Sequence, residues 1–253
     1  MRMKSLVTWL VVATIVTTAV ALTAQSTTPR TAVATKAGLA TDRVARIDRA
    51  LQRYVDENRI AGIVALVLRD GQPVYEKAVG WSDKEAGRRM TTDTIFRIAS
   101  QSKAITSTAV LSLVEEGKLT LNDPVSRVIP PFAKTTVAAG GSVVPAKRPI
   151  TIRDLLTHTA GISYGIEPAI ASQYEAKGLG PGAGFGWYTA DKDESVCSTM
   201  ERLATLPFVA QPGEQWVYGY NTDILGCVVE RASGMPLDAF IKTRITEPLR
   251  MAD

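Results

Sequence analysis

The chain has 253 residues and a formal net charge of +4, and 45% of the residues are hydrophobic and 21% are charged. This composition excludes a disordered chain, a collagen-like repeat and a coiled coil, and it supplies enough apolar material for one large domain or two small ones. The nearly balanced charge does not indicate a nucleic-acid-binding protein. With one histidine and two cysteines, neither a multi-histidine metal site nor a disulfide scaffold is expected, and no cofactor is predicted.

The N-terminus has the pattern of an export signal. Arg2 and Lys4 precede an apolar stretch, and the small residues at 19–21 suit signal peptidase. The alternative is a transmembrane anchor, because the apolar stretch nearly reaches membrane-spanning length. We predict a cleaved signal peptide over residues 1–21, a periplasmic or secreted protein, and a flexible lead-in over residues 22–40.

The first predicted elements of the mature chain are a helix and a β-hairpin. The helix starts at Thr41, a candidate N-cap, and its apolar residues recur at helical spacing: Val44, Ile47, Leu51 and Val55. Two β-branched and aliphatic runs, residues 63–68 and 74–79, flank the turn signal Asp70-Gly71. This arrangement predicts a hairpin.

The rest of the chain is predicted to be mostly helical. A strong helix covers about residues 100–116 and ends at Gly117, whereas residues 138–149 indicate a loop and residues 161–193 show no clear period. Shorter helices are predicted from Thr151, over 195–206, over 221–232 and over 236–244. This order predicts an α+β fold, with an α/β portion over residues 41–145 and a mostly helical portion over residues 146–253.

Ser100 and Lys103 form an S-x-x-K motif at the predicted start of the second helix. Because this spacing puts two residues on one helix face, the lysine amine is expected beside the serine hydroxyl. The amine can accept the serine proton if its pKa is lowered, and the N–H groups of the helix start can stabilise an oxyanion. The motif is common by chance, and a Ser N-cap followed by a solvent-facing lysine explains the same spacing.

A second serine, Ser163, lies in a G-x-S-x-G pattern that is typical of the nucleophile elbow of α/β-hydrolases. That elbow requires a preceding strand and a histidine later in the chain. The segment before Ser163 is predicted to be helical, and the single histidine, His158, lies upstream. We therefore exclude Ser163 as a nucleophile, and we interpret His158 as a structural, partly buried residue rather than a general base.

Tyr218 is a candidate proton relay, because a phenol can pass a proton between a nucleophile and a leaving group. The alternative is aromatic packing of residues 216–220, with Asn221 as the N-cap of the next helix. Cys197 and Cys227 are compatible with a disulfide in an oxidising compartment and equally with two buried free thiols.

Three segments resemble, in order, the landmarks of the serine β-lactamase and penicillin-binding-protein superfamily, and of its class C β-lactamase-like branch in particular. They are residues 93–130, which contain the S-x-x-K motif, residues 150–162 and residues 212–230. The branch includes carboxylesterases, D-amino-acid peptidases and β-lactamases. The resemblance implies helices packed on an antiparallel sheet beside a mostly helical domain, and it assigns His158 to a structural landmark.

The resemblance also implies that Ser100 is the acylated nucleophile, Lys103 its proton acceptor and Tyr218 the tyrosine of the family's Y-x-N motif. The third position of that motif is Tyr220 here, with Asn221 one place later, a departure typical of esterase-like members. We therefore predict a serine hydrolase that acts on a small carboxylic ester or amide, without a nucleic-acid partner or a stable membrane span. The alternatives are a β-lactamase or D-Ala-type peptidase, and a non-catalytic homologue that binds peptidoglycan or a partner.

The end of the sequence departs from the family pattern. Family domains continue well beyond the segment that resembles residues 245–253, and they carry a K-T-G or H-x-G landmark on a strand beside the nucleophile. The sequence ends at Asp253 with neither. We expect the N-terminal part of such an enzyme or a shortened member, with an incomplete sheet, exposed apolar strand surface and slow turnover.

Overall fold

The computed structural model describes residues 39–180, 189 and 193–251. The predicted signal peptide and nearly all of the predicted lead-in lie outside these residues. The chain forms two compact units, one ending at Ile95 and the other starting at Phe96. The domain boundaries derived from the sequence stay a prediction.

The first unit contains the predicted hairpin. Its elements are α1 (Thr41–Asp56), β1 (Gly62–Arg69), β2 (Gln72–Asp83) and β3 (Arg88–Arg89), and the three strands form an antiparallel sheet in the order β1-β2-β3. Asp70 and Gly71 form the turn with φ values of 52° and 71°. Left-handed residues at both central positions match the twist of the flanking strands, which explains why this dipeptide was a reliable turn signal.

Helix α1 begins as predicted but is not capped as predicted. Ala40 is the N-cap residue and offers no side-chain hydrogen bond, so the predicted Thr41 cap is wrong. The helix packs on β2, where the Tyr75 hydroxyl donates to Asp48 Oδ1 at 2.8 Å.

Strand β1 presents apolar side chains to solvent. Leu66, Val67 and Leu68 are 55%, 43% and 56% exposed, and β2 is the single strand that pairs with β1 among the described residues. The exposed apolar strand surface expected from the sequence stays a prediction, and the exposure of these side chains is consistent with it.

Helix α6 (Asn221–Ser233) is the centre of the second unit. Its buried side chains include Ile224, Leu225, Val228 and Val229. The helices packed around it are α2 (Ser102–Glu115), α3 (Ile152–Leu156), α5 (Val196–Leu203) and α7 (Leu237–Ile241). A further short helix, α4 (Ala171–Ala176), lies in the segment that showed no period, and a π-helical turn (Lys242–Thr246) follows α7. No helix in the described ranges combines the length and apolar composition needed to cross a membrane.

A second, small sheet corrects the sequence interpretation. Residues 138–149 were predicted to form a loop, but β4 (Thr136–Ala139) and β5 (Ser142–Pro145) form an antiparallel hairpin around Gly140 and Gly141. Both glycines have positive φ, which the turn requires. Strand β6 (Pro207–Phe208) pairs with β4 in parallel. The observed fold is α+β, as predicted, with the antiparallel sheet of the first unit and this additional mixed sheet.

Helix α3 begins at the predicted Thr151 cap. Thr151 and Asp154 form a capping box, and Arg148 makes two hydrogen bonds to the Asp154 carboxylate, at 2.6 and 2.9 Å. Burial raises the pKa of Asp154, but the contacts with Arg148 and Thr151 outweigh burial and hold the pKa below its ordinary value. The helix therefore keeps a charged, fully paired cap, and this cap fixes the start of the chain segment that leads to His158.

A disulfide joins Cys197 of α5 to Cys227 of α6. Of the two states that the sequence allowed for these cysteines, the structure has the bonded one. The bond links two helices of the core across a sequence separation of 30 residues.

Replacing both cysteines with serine is expected to lower the free energy of unfolding by about 2–5 kcal/mol, because the cross-link restricts the unfolded chain. Urea unfolding of the wild type and of the Cys197→Ser/Cys227→Ser variant measures the difference. A reducing agent should weaken the wild type and leave the double variant unchanged. A loss below about 0.5 kcal/mol would contradict a stabilising bond.

Candidate active site

Ser100 is presented at the start of α2 by a tight turn. Residues Ala99–Gln101 form a 3-10 turn that leads directly into α2. Ala99 has a φ of 46°, a left-handed conformation that is unfavourable for a residue with a side chain. Strained backbone of this kind clusters at functional sites, and here it stands immediately before the exposed Ser100.

The structure brings the three predicted residues together. The Tyr218 hydroxyl lies 2.8 Å from Ser100 Oγ, and Lys103 Nζ lies 3.3 Å from the same oxygen. Lys103 Nζ also lies 4.7 Å from the centre of the Tyr218 ring. Ser100 and Tyr218 are 118 residues apart in sequence, so this contact is a product of the tertiary fold.

Tyr164 is a member of this cluster that the sequence reasoning missed. Lys103 Nζ donates to the Tyr164 hydroxyl at 3.3 Å, and the Tyr164 ring meets the Tyr218 ring edge-on at 5.8 Å. Tyr164 follows Ser163, inside the segment that was set aside with the rejected nucleophile. Gly161 and Gly165, on either side of Tyr164, both have positive φ in the structure. In the sequence, the signal that could have indicated Tyr164 is its position between these two glycines.

Ser163 itself has a structural role. It is buried, its hydroxyl donates to Glu167 Oε2 at 2.6 Å and accepts from the Gly165 N–H at 3.0 Å. The segment before it contains helix α3 and no strand, as predicted. The exclusion of Ser163 as a nucleophile is consistent with these contacts.

The Tyr218 ring is held in an aromatic stack. It stacks on His158 with ring centres 4.9 Å apart and on Trp216 at 5.8 Å. The next residue, Gly219, lies so close to the backbone of Ser163 that an added Cβ would come within 2.3 Å of it. Position 219 therefore requires a glycine, because any side chain there would overlap the Ser163 backbone.

His158 supports this stack from a strained backbone position. Its φ is 57°, and its carbonyl accepts from the Val217 N–H at 2.7 Å. Burial and the charge of Lys103 lower the pKa of His158, so the ring is neutral at neutral pH. Asn221 Nδ2 lies 3.0 Å from His158 Nδ1. These contacts agree with the structural role predicted for His158.

Asn221 does not have the N-cap role that the aromatic-packing interpretation predicted for it. The N-cap of α6 is Tyr220, which makes no side-chain cap, so an N-cap role for Asn221 is wrong. The buried Asn221 amide instead donates to the carbonyls of Ile162 and Val217, both at 3.2 Å. It ties the His158 segment to the Tyr218 segment.

The charges of the cluster make Tyr218 the more acidic of the two phenols. Burial lowers the pKa of Lys103, but hydrogen bonds with Tyr218 and Tyr164 outweigh burial and keep that pKa above its ordinary value, so the side chain is an ammonium ion at neutral pH. Burial raises the pKa of Tyr218, but Lys103 and Ser100 outweigh it and lower the pKa below its ordinary value. The pKa of Tyr164 is raised by its burial.

A cavity of about 420 Å³ opens beside Ser100. Residues of α2 and its preceding turn and residues of α6 line it; among them are Ser100, Lys103, Thr106, Thr222, Asp223 and Gly226. Burial raises the pKa of Asp223, whose carboxylate accepts from the Thr189 hydroxyl at 3.2 Å. In the part of the chain that the structure describes, no three His, Cys, Asp or Glu side chains are grouped as a metal site requires.

Comparisons with known proteins identify the family. The family model described as Beta-lactamase matches residues 47–253. Esterase EstB of Burkholderia gladioli is 39% identical over 209 residues, which are 83% of this chain and 50% of the relative. Lovastatin esterase of Penicillium rubens is 33% identical over 220 residues, which are 82% of this chain and 51% of the relative.

A solved structure agrees with the sequence relatives. EstCE1, described as a hydrolase with promiscuous acyltransferase activity, has a TM-score of 0.72 and 32% identity, and the match covers 83% of this chain and 52% of that chain. The chain thus spans about half the length of the relatives it matches. The predicted β-lactamase-like fold and the predicted resemblance are both confirmed. The chain belongs to the Beta-lactamase family.

Proposed function

We propose that the protein is an esterase-like serine hydrolase that forms an acyl-enzyme on Ser100. The observation that carries this proposal is the 2.8 Å contact between the Tyr218 hydroxyl and Ser100 Oγ, beside the Lys103 ammonium. A serine hydroxyl becomes a nucleophile when a neighbouring base removes its proton. The names of two relatives, both esterases, support an ester substrate.

The acylation step follows from the distances and charges. As Ser100 Oγ attacks the ester carbonyl carbon, its proton passes to the Tyr218 oxygen, and the Lys103 ammonium stabilises the tyrosinate that accepts it. Stabilisation of the developing oxyanion by a backbone N–H group of the turn that carries Ser100 is part of this proposal. The carbonyl then re-forms, the bond to the alcohol oxygen breaks, and Tyr218 returns the proton to the departing alkoxide.

Deacylation reverses the same proton path. A water molecule loses its proton to Tyr218 and attacks the acyl carbon, and the ester bond to Ser100 breaks as Ser100 Oγ regains a proton. Lys103 was the acceptor predicted from the sequence. Tyr218 is closer to Ser100 Oγ and has the lowered pKa, so the geometry favours Tyr218 as acceptor and Lys103 as the charge that tunes it.

The position after Tyr218 and Gly219 favours esters over β-lactams. Tyr220 takes the place of the asparagine of the family's Y-x-N motif. It is fully buried, and its hydroxyl donates to the Leu179 carbonyl at 2.7 Å. This position therefore contributes no amide to bind a substrate.

We also propose that the protein is exported. The sequence pattern of residues 1–21 supports this, and so does the Cys197–Cys227 disulfide, because such bonds persist in oxidising compartments.

The function is tested by labelling the full-length protein with a fluorophosphonate and measuring intact mass. One adduct is expected, and peptide mapping should place it on Ser100. The Ser100→Ala variant serves as the matched control and should stay unlabelled, and Lys103→Ala should label much more slowly. A folded protein without any adduct would refute the hydrolase and favour the non-catalytic binding homologue.

The substrate class is tested by comparing an activated short-chain ester with a chromogenic cephalosporin. We expect faster turnover of the ester. Preferred hydrolysis of the cephalosporin, or of a D-Ala dipeptide, would replace the esterase proposal with the β-lactamase or peptidase alternative.

A further inference from the structure

Trp216 is a large apolar residue at the candidate site to which the proposed proton transfers give no role. Its side chain is 65% exposed. Its ring stacks on the Tyr218 ring, with the ring centres 5.8 Å apart and the planes inclined by 26°, and it lies 6.0 Å from the centre of the His158 ring. We call the rings of Trp216 and Tyr218 the aromatic shelf.

The exposure of Trp216 has meaning because of the neighbour it stacks on. A single exposed apolar side chain on a protein surface needs no explanation. The Trp216 ring, however, continues the ring of Tyr218, whose hydroxyl lies 2.8 Å from Ser100 Oγ. The aromatic shelf therefore extends from the candidate nucleophile to a partly solvent-exposed indole.

The backbone between the two rings is held on both sides. The Val217 N–H donates to the His158 carbonyl at 2.7 Å, and the Val217 carbonyl accepts from the Asn221 amide at 3.2 Å. The His158 ring also stacks on Tyr218, with ring centres 4.9 Å apart. The aromatic shelf is thus ordered before a ligand arrives, which lowers the entropy lost when a ligand binds.

The proton path brings the departing alcohol to the aromatic shelf. In the proposed acylation step the alcohol oxygen receives its proton from Tyr218, so the two oxygens lie about 2.5–3.0 Å apart when the proton is transferred. The acyl carbon is bonded to Ser100 Oγ at that point. The group attached to the alcohol oxygen therefore lies next to Tyr218, where the exposed Trp216 ring is the neighbouring apolar surface.

We propose that the aromatic shelf binds the alcohol part of the substrate, and that Trp216 is a specificity-determining residue for esters of alcohols that carry an aromatic ring. This inference rests on the proposed function, because the alcohol reaches the shelf through its contact with Tyr218. Two aromatic rings attract each other in offset or edge-on contact beyond the effect of their buried area. A saturated ring of similar size gains the buried area without this attraction, and a small alkyl group gains little of either.

The test measures kcat/KM of the full-length protein for benzyl, cyclohexylmethyl and ethyl acetate. The three esters form the same acyl-enzyme, so their kcat/KM values differ through binding and acylation, the steps in which the alcohol is still attached. We expect the wild type to prefer benzyl over cyclohexylmethyl and both over ethyl acetate. Trp216→Leu should lower the benzyl-to-ethyl ratio about threefold to tenfold, the size of one aromatic contact.

Trp216→Phe is the matched control, because it keeps an aromatic ring at this position. It should retain more of the benzyl-to-ethyl ratio than Trp216→Leu does. If Trp216 only supported the Tyr218 ring, its replacement would lower kcat/KM for the three esters by one common factor. A common factor, or equal ratios in Trp216→Leu and Trp216→Phe, would overturn the proposal.

A binding measurement separates failure of this inference from failure of the proposed function. The NMR signal of the Trp216 indole N–H, identified by its absence in Trp216→Phe, is followed while benzyl alcohol or ethanol is added to the full-length protein. Benzyl alcohol should shift the signal at concentrations at which ethanol does not. If no ester is hydrolysed, this shift means that the hydrolase proposal fails and the shelf stands, and its absence means that both fail. If esters are hydrolysed, the kinetic ratio decides, and a ratio independent of Trp216 means that the shelf fails alone.

Discussion

Replacing Tyr218 with phenylalanine is expected to lower kcat for a short-chain ester about 10²–10⁴-fold, the range found when a general base is lost. The change removes the oxygen that lies 2.8 Å from Ser100 Oγ and keeps the ring that stacks on His158 and Trp216. The site geometry is therefore preserved while the proton acceptor is removed. Steady-state kinetics of the full-length protein measure the loss, and thermal unfolding checks that the fold is intact.

Tyr164→Phe is the matched comparison for this variant. It also removes a phenolic oxygen from the cluster, the one that accepts from Lys103 Nζ at 3.3 Å. The loss of one such hydrogen bond should cost about tenfold in rate or less. Equal losses in Tyr218→Phe and Tyr164→Phe would show that Tyr218 is not the acceptor, and the mechanism would return to Lys103.

Replacing Lys103 with methionine is expected to lower kcat/KM about 10²-fold or more and to move the acidic limb of its pH profile to higher pH. In the wild type, Lys103 helps to place the pKa of Tyr218 below its ordinary value. Activity rises with pH as Tyr218 becomes able to accept a proton. Without the ammonium ion the Tyr218 pKa rises, so the same activity requires a higher pH.

The direction of that shift distinguishes the two assignments of the acceptor. If Lys103 were the base, the acidic limb would report the pKa of the lysine itself, and Lys103→Met would abolish the limb rather than move it. Lys103→Arg is the matched control, because it keeps the charge. It should keep the limb near its wild-type pH even if the rate falls through altered geometry. A limb that stays in place in Lys103→Met would contradict the role of the ammonium charge.

Local signals predicted most of the secondary structure correctly. The hairpin turn at Asp70-Gly71 and the Thr151 cap were recognised because a few neighbouring residues are sufficient to form them. The β4–β5 hairpin was missed although Gly140-Gly141 marks its turn, because each of its strands is only four residues long. The parallel pairing of β4 with β6 joins residues about 70 positions apart, and no local pattern indicates such a partner.

The candidate site was also predicted only in part, because some of its contacts are local in sequence and others are not. Ser100 and Lys103 lie on adjacent turns of one segment, so their contact follows from helical spacing. The Tyr164 segment is held beside the Tyr218 segment by backbone hydrogen bonds that join residues 158–161 to residues 209–217. Among these are Val209 N–H to the Gly161 carbonyl at 2.9 Å and Val217 N–H to the His158 carbonyl at 2.7 Å.

The sequence by itself predicted the family from three ordered segments, the Ser100–Lys103 pair from helical spacing, and the exclusion of Ser163 from the upstream position of the single histidine. The tertiary structure decided two further matters: the disulfide state of Cys197 and Cys227, and the presence of Tyr164 beside Lys103. Each of these depends on the packing of segments that are far apart in the chain. Such packing is set by the whole core around α6, and its geometry is not encoded in any short stretch of residues.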